Sequence, residues 1–292
     1  MDLSVVVVTY NSRDHILACL RSLERAAAFS VAAGGSETPI QVVVVDNASA
    51  DRTPDLVRRE FPTVQVLETG ANLGYAKAVN RGIAAATGTF TFVLNPDCVV
   101  GESALLKLDT WMEAHPRCGI AAPRILNPDG TLEWSARSFP THLTFLFNRY
   151  SLLTQLLPGN RWSRRYLLSD WDHVTPRTVD WVSGAAMFVR RAAVDAVGGM
   201  DEAFFMFNED VDWCRRMHAA DWTVDCVPSA TVVHHIGASK GRVSSRVILE
   251  RHRGMLHYFR KHHPTNPVLD ALASALIMLR ARLMLAANAL KQ

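Results

Sequence analysis

Four consecutive valines, Val5 to Val8, stand near the head of this chain. β-Branched side chains crowd a helix and suit a pleated strand. A strand that is apolar at every position has no face to turn toward water. It belongs inside a parallel sheet covered by helices on both sides. The residues that follow keep to that plan. His15–Ala28 reads as a helix with Ser12 or Asp14 near its cap, Gln41–Val45 as a second buried strand, and Thr53–Glu60 as a helix. Val64–Glu68 reads as a strand, Tyr75–Ala86 as a helix, Thr89–Leu94 as a strand and Ser103–His115 as a helix. This alternation predicts an α/β fold with a mainly parallel central sheet flanked by helices. Three strands run into polar clusters: Thr9-Tyr10-Asn11, Asp46-Asn47 and Asn95-Pro96-Asp97. Open sheets of this kind bind ligands beyond the carboxyl ends of their strands, so the clusters mark the expected site.

The second half is less regular. Trp134 to Arg177, rich in Arg, Trp, Leu and Pro, reads as an inserted lid with short helices. Val179–Arg190 reads as a strand containing Gly184, Asp195–Gly199 as a turn, and Glu209–Ala220 as a helix. Val224–Val227 and Thr231–Ile236 read as short strands, and Ser244–His262 as a long helix. After Pro264 and Pro267 a last helix runs to Leu290. At 49% hydrophobic and 20% charged, the 292 residues exclude a disordered chain, a collagen and a coiled-coil rod. No two of the five cysteines are closer than twelve residues, so a Cys-x-x-Cys site is absent and a disulfide framework is not expected. That fits a reducing compartment. The first residues have no basic stretch, and their apolar run is too short for a signal peptide.

Charge is unevenly spread. From Thr231 onward ten Lys or Arg face only Glu250 and Asp270, while the preceding residues carry a net negative charge. A basic end on an acidic body suggests contact with phosphates, on a substrate, a membrane or nucleic acid.

The motifs narrow the chemistry. No Gly-x-Gly and no Gly-Lys-Ser/Thr occurs, so the dinucleotide fingerprint and the P-loop are both missing. Gly237-Ala238-Ser239-Lys240-Gly241 fits a serine-hydrolase elbow, but an acid and a histidine on later strands are then required, and mostly helical residues remain. Asn95-Pro96-Asp97 is either an Asn-Pro turn or a variant of the Asp-x-Asp motif. In that motif a strand-end carboxylate holds a divalent cation against a nucleotide diphosphate. Glu209-Asp210-x-Asp212 behind Phe204-Phe205-Met206-Phe207 is either acid favoured at a helix N-terminus or a desolvated general base. His234-His235 ends a strand, as a structural pair or as a metal or phosphate site. Asp46 is either a turn aspartate or an acceptor for a base N–H. Arg124, Arg137, Arg190 and Arg191 read as surface charge.

Taken in order, the segments Val7–Ser12, Val44–Ser49, Asn72-Leu73-Gly74-Tyr75-Ala76 with Asn80, and Asn95-Pro96-Asp97 resemble the GT-A inverting glycosyltransferases of family 2. Trp181–Ala185, Gly199–Glu202, Phe205–Asp212 and His234-x-x-Gly237-x-Ser239 resemble its rhamnosyltransferase-like branch. The likeness covers residues 3–262. It implies a GT-A nucleotide-diphospho-sugar transferase fold. It implies that Thr9, Tyr10, Asn11, Asn72, Lys77, Asn80 and Asn95 contact the donor nucleotide and that Asp46 binds its base. Asp97 and His234 then hold a divalent cation, Mg2+ or Mn2+, and Asp210, with Glu209 beside it, is the catalytic base. Trp181, Gly184 and Asp212 fall on the acceptor side.

The expected activity is transfer, with inversion, from a nucleotide-diphospho-sugar such as dTDP-rhamnose to a lipid-linked or polysaccharide acceptor in cell-envelope glycan synthesis. A UDP-sugar donor, a serine hydrolase built on Ser239 and an inert sugar-nucleotide-binding protein are the alternatives. Residues 1–240 are expected to form the catalytic domain, with a variable acceptor region at 134–180, and residues 241–292 a helical extension. Leu269, Leu272, Leu276, Leu279, Leu283 and Leu290 recur at helical spacing, and Arg280 and Arg282 argue against a membrane span. A helix lying on an anionic membrane surface, or one packed on the protein core or a second copy in a homodimer, follows. The expected location is cytoplasmic, peripheral on the inner face of the membrane, with no nucleic acid partner.

Overall fold

The computed structural model describes residues 2–34, 39–141, 160–235, 244–264 and 266–289. Its first strand, β1 (Leu3–Thr9), is buried at every position, as its valines require. It lies between β2 (Gln41–Asp46) and β4 (Phe90–Leu94), parallel to both, with Val7 opposite Val44 and Leu94. β3 (Gln65–Glu68) extends the parallel half beyond β2. Side chains alternate along a strand, so one valine run supplies two cores. Val5 and Val7 pack with α1 (Ile16–Ala32), α2 (Thr53–Glu60) and α4 (Ala104–Ala114), while Val6 and Val8 pack with α3 (Tyr75–Ala85).

Beyond β4 the sheet becomes mixed. β10 (Ala186–Arg190) runs antiparallel between β4 and β6 (Cys118–Leu126). β11 (Thr223–His234) runs parallel to β6, and β5 (Cys98–Val100) and β8 (Arg177–Thr178) pair antiparallel with β11. The expected parallel sheet therefore describes the half built on β1, and the other half is mixed. A separate ribbon joins β7 (Ala136–Arg137) to β9 (Trp181–Val182). Between these strands lie α5 (Arg161–Leu167) and α6 (Arg191–Val197), followed by α7 (Glu209–Ala219), α8 (Ser245–His262) and α9 (Pro267–Ala289).

Several local expectations change. The strand expected over Val179–Arg190 is interrupted between β9 and β10. There Ala185 gives its carbonyl to the Asn95 amide and the Gly184 amide turns to Asp210. The turn expected from Asp195 is the end of α6, stopped by Gly198 at φ 79°. The two short strands expected after Val224 are one strand with an irregularity between Val227 and Thr231. β6 was not anticipated because Gly119 and Pro123 punctuate it. β10 pairs with it only at Ile120 and Ala121, so the N–H that Pro123 lacks is not needed on that side. α1 begins after His15 with no side-chain cap, so neither Ser12 nor Asp14 caps it. Arg190 and Arg191 are not plain surface charge. Arg190 donates to the Met112 and His115 carbonyls at the end of α4, and Arg191 to Ile83 and Ala86 at the end of α3. Both offset the negative ends of helix dipoles.

The boundary expected after residue 240 falls within 236–243, outside the described residues. α8 belongs to the same body as the sheet. Tyr258 and Phe259 are buried in the core beside α7. A Cβ on Gly254 would lie 2.6 Å from the Phe207 carbonyl, so only glycine lets α8 approach this closely. α9 packs on α8, with Ile277 and Ala281 buried, and keeps most of its other face exposed.

Candidate active site

The carboxyl ends of β1, β2 and β4 form the floor of a cavity of about 720 Å³. Tyr10, Asn11, Asn47, Asn72, Asn95 and Asp97 line it, and Phe205, Met206 and Arg246 face them. Asp46 lies under the floor, 1% exposed. Its carboxylate accepts from the Thr9 hydroxyl at 2.8 Å and from the Ser49 hydroxyl and amide at 2.6 and 2.8 Å. Asn47 ties the next wall in place, donating to Asn72 and to the Gly74 carbonyl at 3.1 Å and accepting from the Leu73 amide at 2.9 Å. Gly74 has φ 91°, and a Cβ there would lie 2.4 Å from the Phe205 carbonyl. Glycine at this position brings the start of α3 against the aromatic run before α7.

Register, rather than sequence proximity, builds the second cluster. β11 pairs with β5 so that His234 lies opposite Cys98, and the His235 amide donates to the Asp97 carbonyl at 2.8 Å. His234 Nε2 is then 3.2 Å from Asp97 Oδ1, and His234 Nδ1 is 2.9 Å from Glu133 Oε2. Burial alone would depress the imidazole, but the two carboxylates outweigh it and hold its pKa at about 9. Asp97 Oδ1 is buried, and the His234 ring is its one polar neighbour among the described residues. A half-buried carboxylate whose buried oxygen meets only an imidazole is a donor set that suits Mg2+ or Mn2+. The proton that His234 holds between two carboxylates stands where a cation would compete for the same lone pair. Cys98 Sγ also lies within this cluster, but its thiol is pushed well up by burial and the Asp97 charge, so it stays protonated.

The third cluster sits where α7 begins. Asp210 accepts from the Gly184 amide at 2.9 Å and from the Val211 amide at 2.8 Å. Tyr75 bridges it to the cavity, donating to the Gly184 carbonyl at 2.8 Å while lining the cavity wall. Glu209 is 5% exposed and its Oε2 has no partner. Burial, then the neighbouring Asp210 charge, raise Glu209 far above the carboxylate range. Burial also raises Asp210, but the Gly184 and Val211 amides and the Arg137 charge oppose the rise. Burial thus favours the neutral form of both carboxyls, and the two amides and Arg137 favour keeping the charge on Asp210 rather than Glu209. Phe207 and Asn208, immediately before α7, both adopt left-handed φ, 67° and 70°. Strained backbone of this kind persists where packing fixes it, commonly at functional sites.

Not every expected residue reaches the cavity. Asn80 bonds the Met200 amide and carbonyl and Glu202, which makes it a strut between α3 and the 199–202 segment. Lys77 is exposed and not part of the lining. Trp181 is buried, donates to the Ser138 carbonyl and lies under the Arg137 guanidinium. Asp212 faces away from the cavity: its side chain is 0% exposed, with Arg216 on one oxygen and Lys261 and His262 on the other. Its carboxylate is fully occupied in holding α8 to α7. Gly184 contributes its amide to Asp210, beside the cavity. Arg137 is no plain surface charge, since it stacks on Trp181 and Tyr166 and bears on Asp210. Gly237 to Gly241, including Ser239, lies outside the described residues.

Three further residues matter. Tyr75 was visible in the Asn72–Ala76 segment, and Arg246 in the basic tail. Arg246 covers the Phe205 ring at 4.2 Å and presents a cation to the cavity. Glu133 carried no sequence signal.

The chain matches the profile of Glycosyl transferase family 2 over residues 4–195. An N-acetylglucosaminyl-diphospho-decaprenol L-rhamnosyltransferase of Mycobacterium tuberculosis is 35% identical over 272 residues, spanning 89% of this chain and 85% of its own. A low-salt glycan biosynthesis hexosyltransferase of Haloferax volcanii is 24% identical over 248 residues, spanning 84% of this chain and 70% of its own. A mannosyltransferase of Pyrobaculum calidifontis, solved with GDP-Man and Mn2+, superposes with TM-score 0.57 at 18% identity, over 99% of this chain and 73% of that one. The last likeness shows a shared GT-A architecture.

Proposed function

The chain belongs to glycosyl transferase family 2, in its rhamnosyltransferase-like branch, and we propose that it transfers a sugar, with inversion, from a nucleoside-diphosphate donor to a hydroxyl of a lipid-linked acceptor in cell-envelope glycan synthesis. The observation that carries this reading is that one cavity is lined by Asp97, which His234 contacts, and by Tyr75, which bonds the Gly184 carbonyl while the Gly184 amide holds Asp210. The Mycobacterium tuberculosis relative is named for a rhamnosyl transfer to a diphospho-decaprenol acceptor, which favours dTDP-rhamnose as the donor here. Tyr10, Asn11 and Asn47 border the nucleoside end of the cavity. Asp97 and His234 would hold a divalent cation, Mg2+ or Mn2+, which would supply positive charge to the donor diphosphate. Asp210 takes the proton of the acceptor hydroxyl as that oxygen attacks the anomeric carbon. The bond between that carbon and the diphosphate oxygen breaks, and the nucleoside diphosphate departs. The Gly184 and Val211 amides aim the Asp210 carboxylate, and protonated Glu209 keeps a second negative charge away from it. A membrane-confined acceptor places the reaction at a membrane surface, with the protein on its cytoplasmic face.

A donor panel tests the reading. Product from dTDP-rhamnose and a polyprenyl-diphosphate sugar, dependent on Mg2+ or Mn2+, is expected by mass spectrometry. Asp210→Asn is expected to lower kcat by 10²–10⁴-fold and to leave donor affinity nearly unchanged. Near-normal turnover by that variant removes Asp210 from the reaction and makes Glu209 the candidate base.

A further inference from the structure

α9 carries six of the ten large hydrophobic side chains exposed among the described residues. Leu269, Leu272, Leu276, Leu279 and Leu283 are 52%, 56%, 59%, 52% and 62% exposed and follow a 3–4 spacing that puts them on one stripe. The opposite side of the helix is anchored through Ile277 and Ala281. The stripe is thus the outward face of an ordered 23-residue helix, about 34 Å long at 1.5 Å per residue. No helix among the described residues is long and apolar enough to cross a membrane.

Two occupants suit such a face, a second copy of the chain or a lipid surface. A 3–4 leucine stripe is also a coiled-coil seam, and a seam between two copies commonly carries opposite charges on its flanks that fix the pairing. The flanking positions here are Ala273, Ala275, Arg280, Arg282, Ala287 and Ala289, with no acid among them. A seam between two copies would therefore gain no interhelical salt bridge. The exposed face is also wider than a seam, since Val268, Ala271, Ala275, Ala286 and Ala287 are exposed beside the leucines. A broad apolar face bordered by cations suits an interface lined with anionic headgroups. The neighbouring helix α8 exposes Arg251, Arg253 and Arg260 against one acid, Glu250, which pairs with Arg253, so α8 adds net positive charge beside α9. α8 also carries Arg246 at the mouth of the active-site cavity.

We infer that the leucine face of α9 is a membrane-docking surface that seats on anionic bilayers, with the arginines of α8 and α9 against phosphate headgroups. The inference rests on the reading above only in that a membrane-confined acceptor gives docking its use. Docking through α9 holds α8, and with it the mouth of the cavity, close to the lipid phase.

The full chain is floated with vesicles of phosphatidylcholine containing phosphatidylglycerol, and with phosphatidylcholine alone, beside Leu276→Glu/Leu279→Glu. Both substituted side chains are exposed, so the fold survives. Wild type is expected to float with the phosphatidylglycerol vesicles, less with phosphatidylcholine and less at high salt. The variant is expected to partition about 100-fold or more weakly, because two leucines no longer enter an apolar phase. Light scattering is expected to find both proteins in the same oligomeric state. Wild type that stays down at low salt, a variant that floats as well as wild type, or a wild-type dimer that the variant dissociates overturns the inference. The last result assigns the stripe to a second copy. Thermal protection by nucleoside diphosphate plus Mn2+ is measured on the same samples. Its absence counts against the transferase reading, whatever the flotation shows.

Discussion

Asp212→Asn separates a residue that binds acceptor from one that holds the fold together. Asp212 is fully buried, with Arg216 Nε at 2.8 Å, Lys261 Nζ at 2.8 Å and His262 Nε2 at 2.6 Å. Burial alone would raise its carboxyl, but Lys261, Arg216 and His262 outweigh that and hold it below the ordinary 3.8. His262 is lowered, chiefly by burial, so it donates as a neutral imidazole, and Arg216 and Lys261 supply the balancing charge. Removing one member of a buried pair costs about 3–5 kcal/mol. Arg216 keeps the Val197 and Gly199 carbonyls, and Lys261 keeps Asp201 at 2.6 Å, so the stranded cations retain partners. The expected loss is therefore at the low end, about 3 kcal/mol, or a fall in Tm of about 6–12 °C. The sign with pH follows from a folded-state pKa below the unfolded one. The contribution is complete above the ordinary 3.8 and disappears as pH falls through the lower folded value. Wild type and variant are therefore expected to differ most near neutral pH and to converge in acid. Urea denaturation over a pH series, with acceptor KM measured alongside, is the assay. A variant as stable as wild type but with a raised acceptor KM would refute the argument and return Asp212 to the acceptor site.

Asp97→Ala is expected to abolish metal-dependent binding of nucleoside diphosphate, since no other carboxylate adjoins His234 on that side; calorimetry with and without Mn2+ reads it, and unchanged affinity refutes it. Glu133→Gln is expected to weaken Mn2+ affinity by 10–100-fold, as loss of a carboxylate behind a ligating histidine does. Electron paramagnetic resonance titration of Mn2+ checks this, and wild-type affinity in the variant would make Glu133 a surface partner only. Arg246→Ala is expected to raise the donor KM by about 10–100-fold through loss of a charge-assisted hydrogen bond to phosphate. An effect on acceptor KM alone would place Arg246 elsewhere in the reaction.

Much of the N-terminal half was legible because its signals are local. α2 has the bounds expected, and β1, β2, β4, α3 and α4 lie within a few residues of theirs. Valine runs define strands buried on both faces, and polar residues directly after an apolar strand must lie at its carboxyl end. The second half was harder to read. Gly184 inside an apolar run looked like part of a strand, and the break around it forms because Asp210, 26 positions away, takes its amide. β6 was hidden by Gly119 and Pro123, residues that read as breaks unless the neighbouring strand is known to stop short.

The motif residues Asp46, Asp97, Asp210 and His234 were readable as residue types at strand and helix ends, because the chemistry of a nucleotide-sugar site needs carboxylates and an imidazole there. Which of them meet was decided by tertiary structure. His234 meets Asp97 through the β11–β5 ladder, and Glu133 reaches His234 across 101 positions. Asp212, two residues from the proposed base, turns the other way and holds α8, because successive positions on a helix point about 100° apart. The leucine stripe of α9 was equally plain in the linear pattern. That it faces outward follows only from the anchoring of Ile277 and Ala281 on the other side. Helical periodicity determines which side chains share a face, whereas burial of that face depends on what the rest of the chain brings against it.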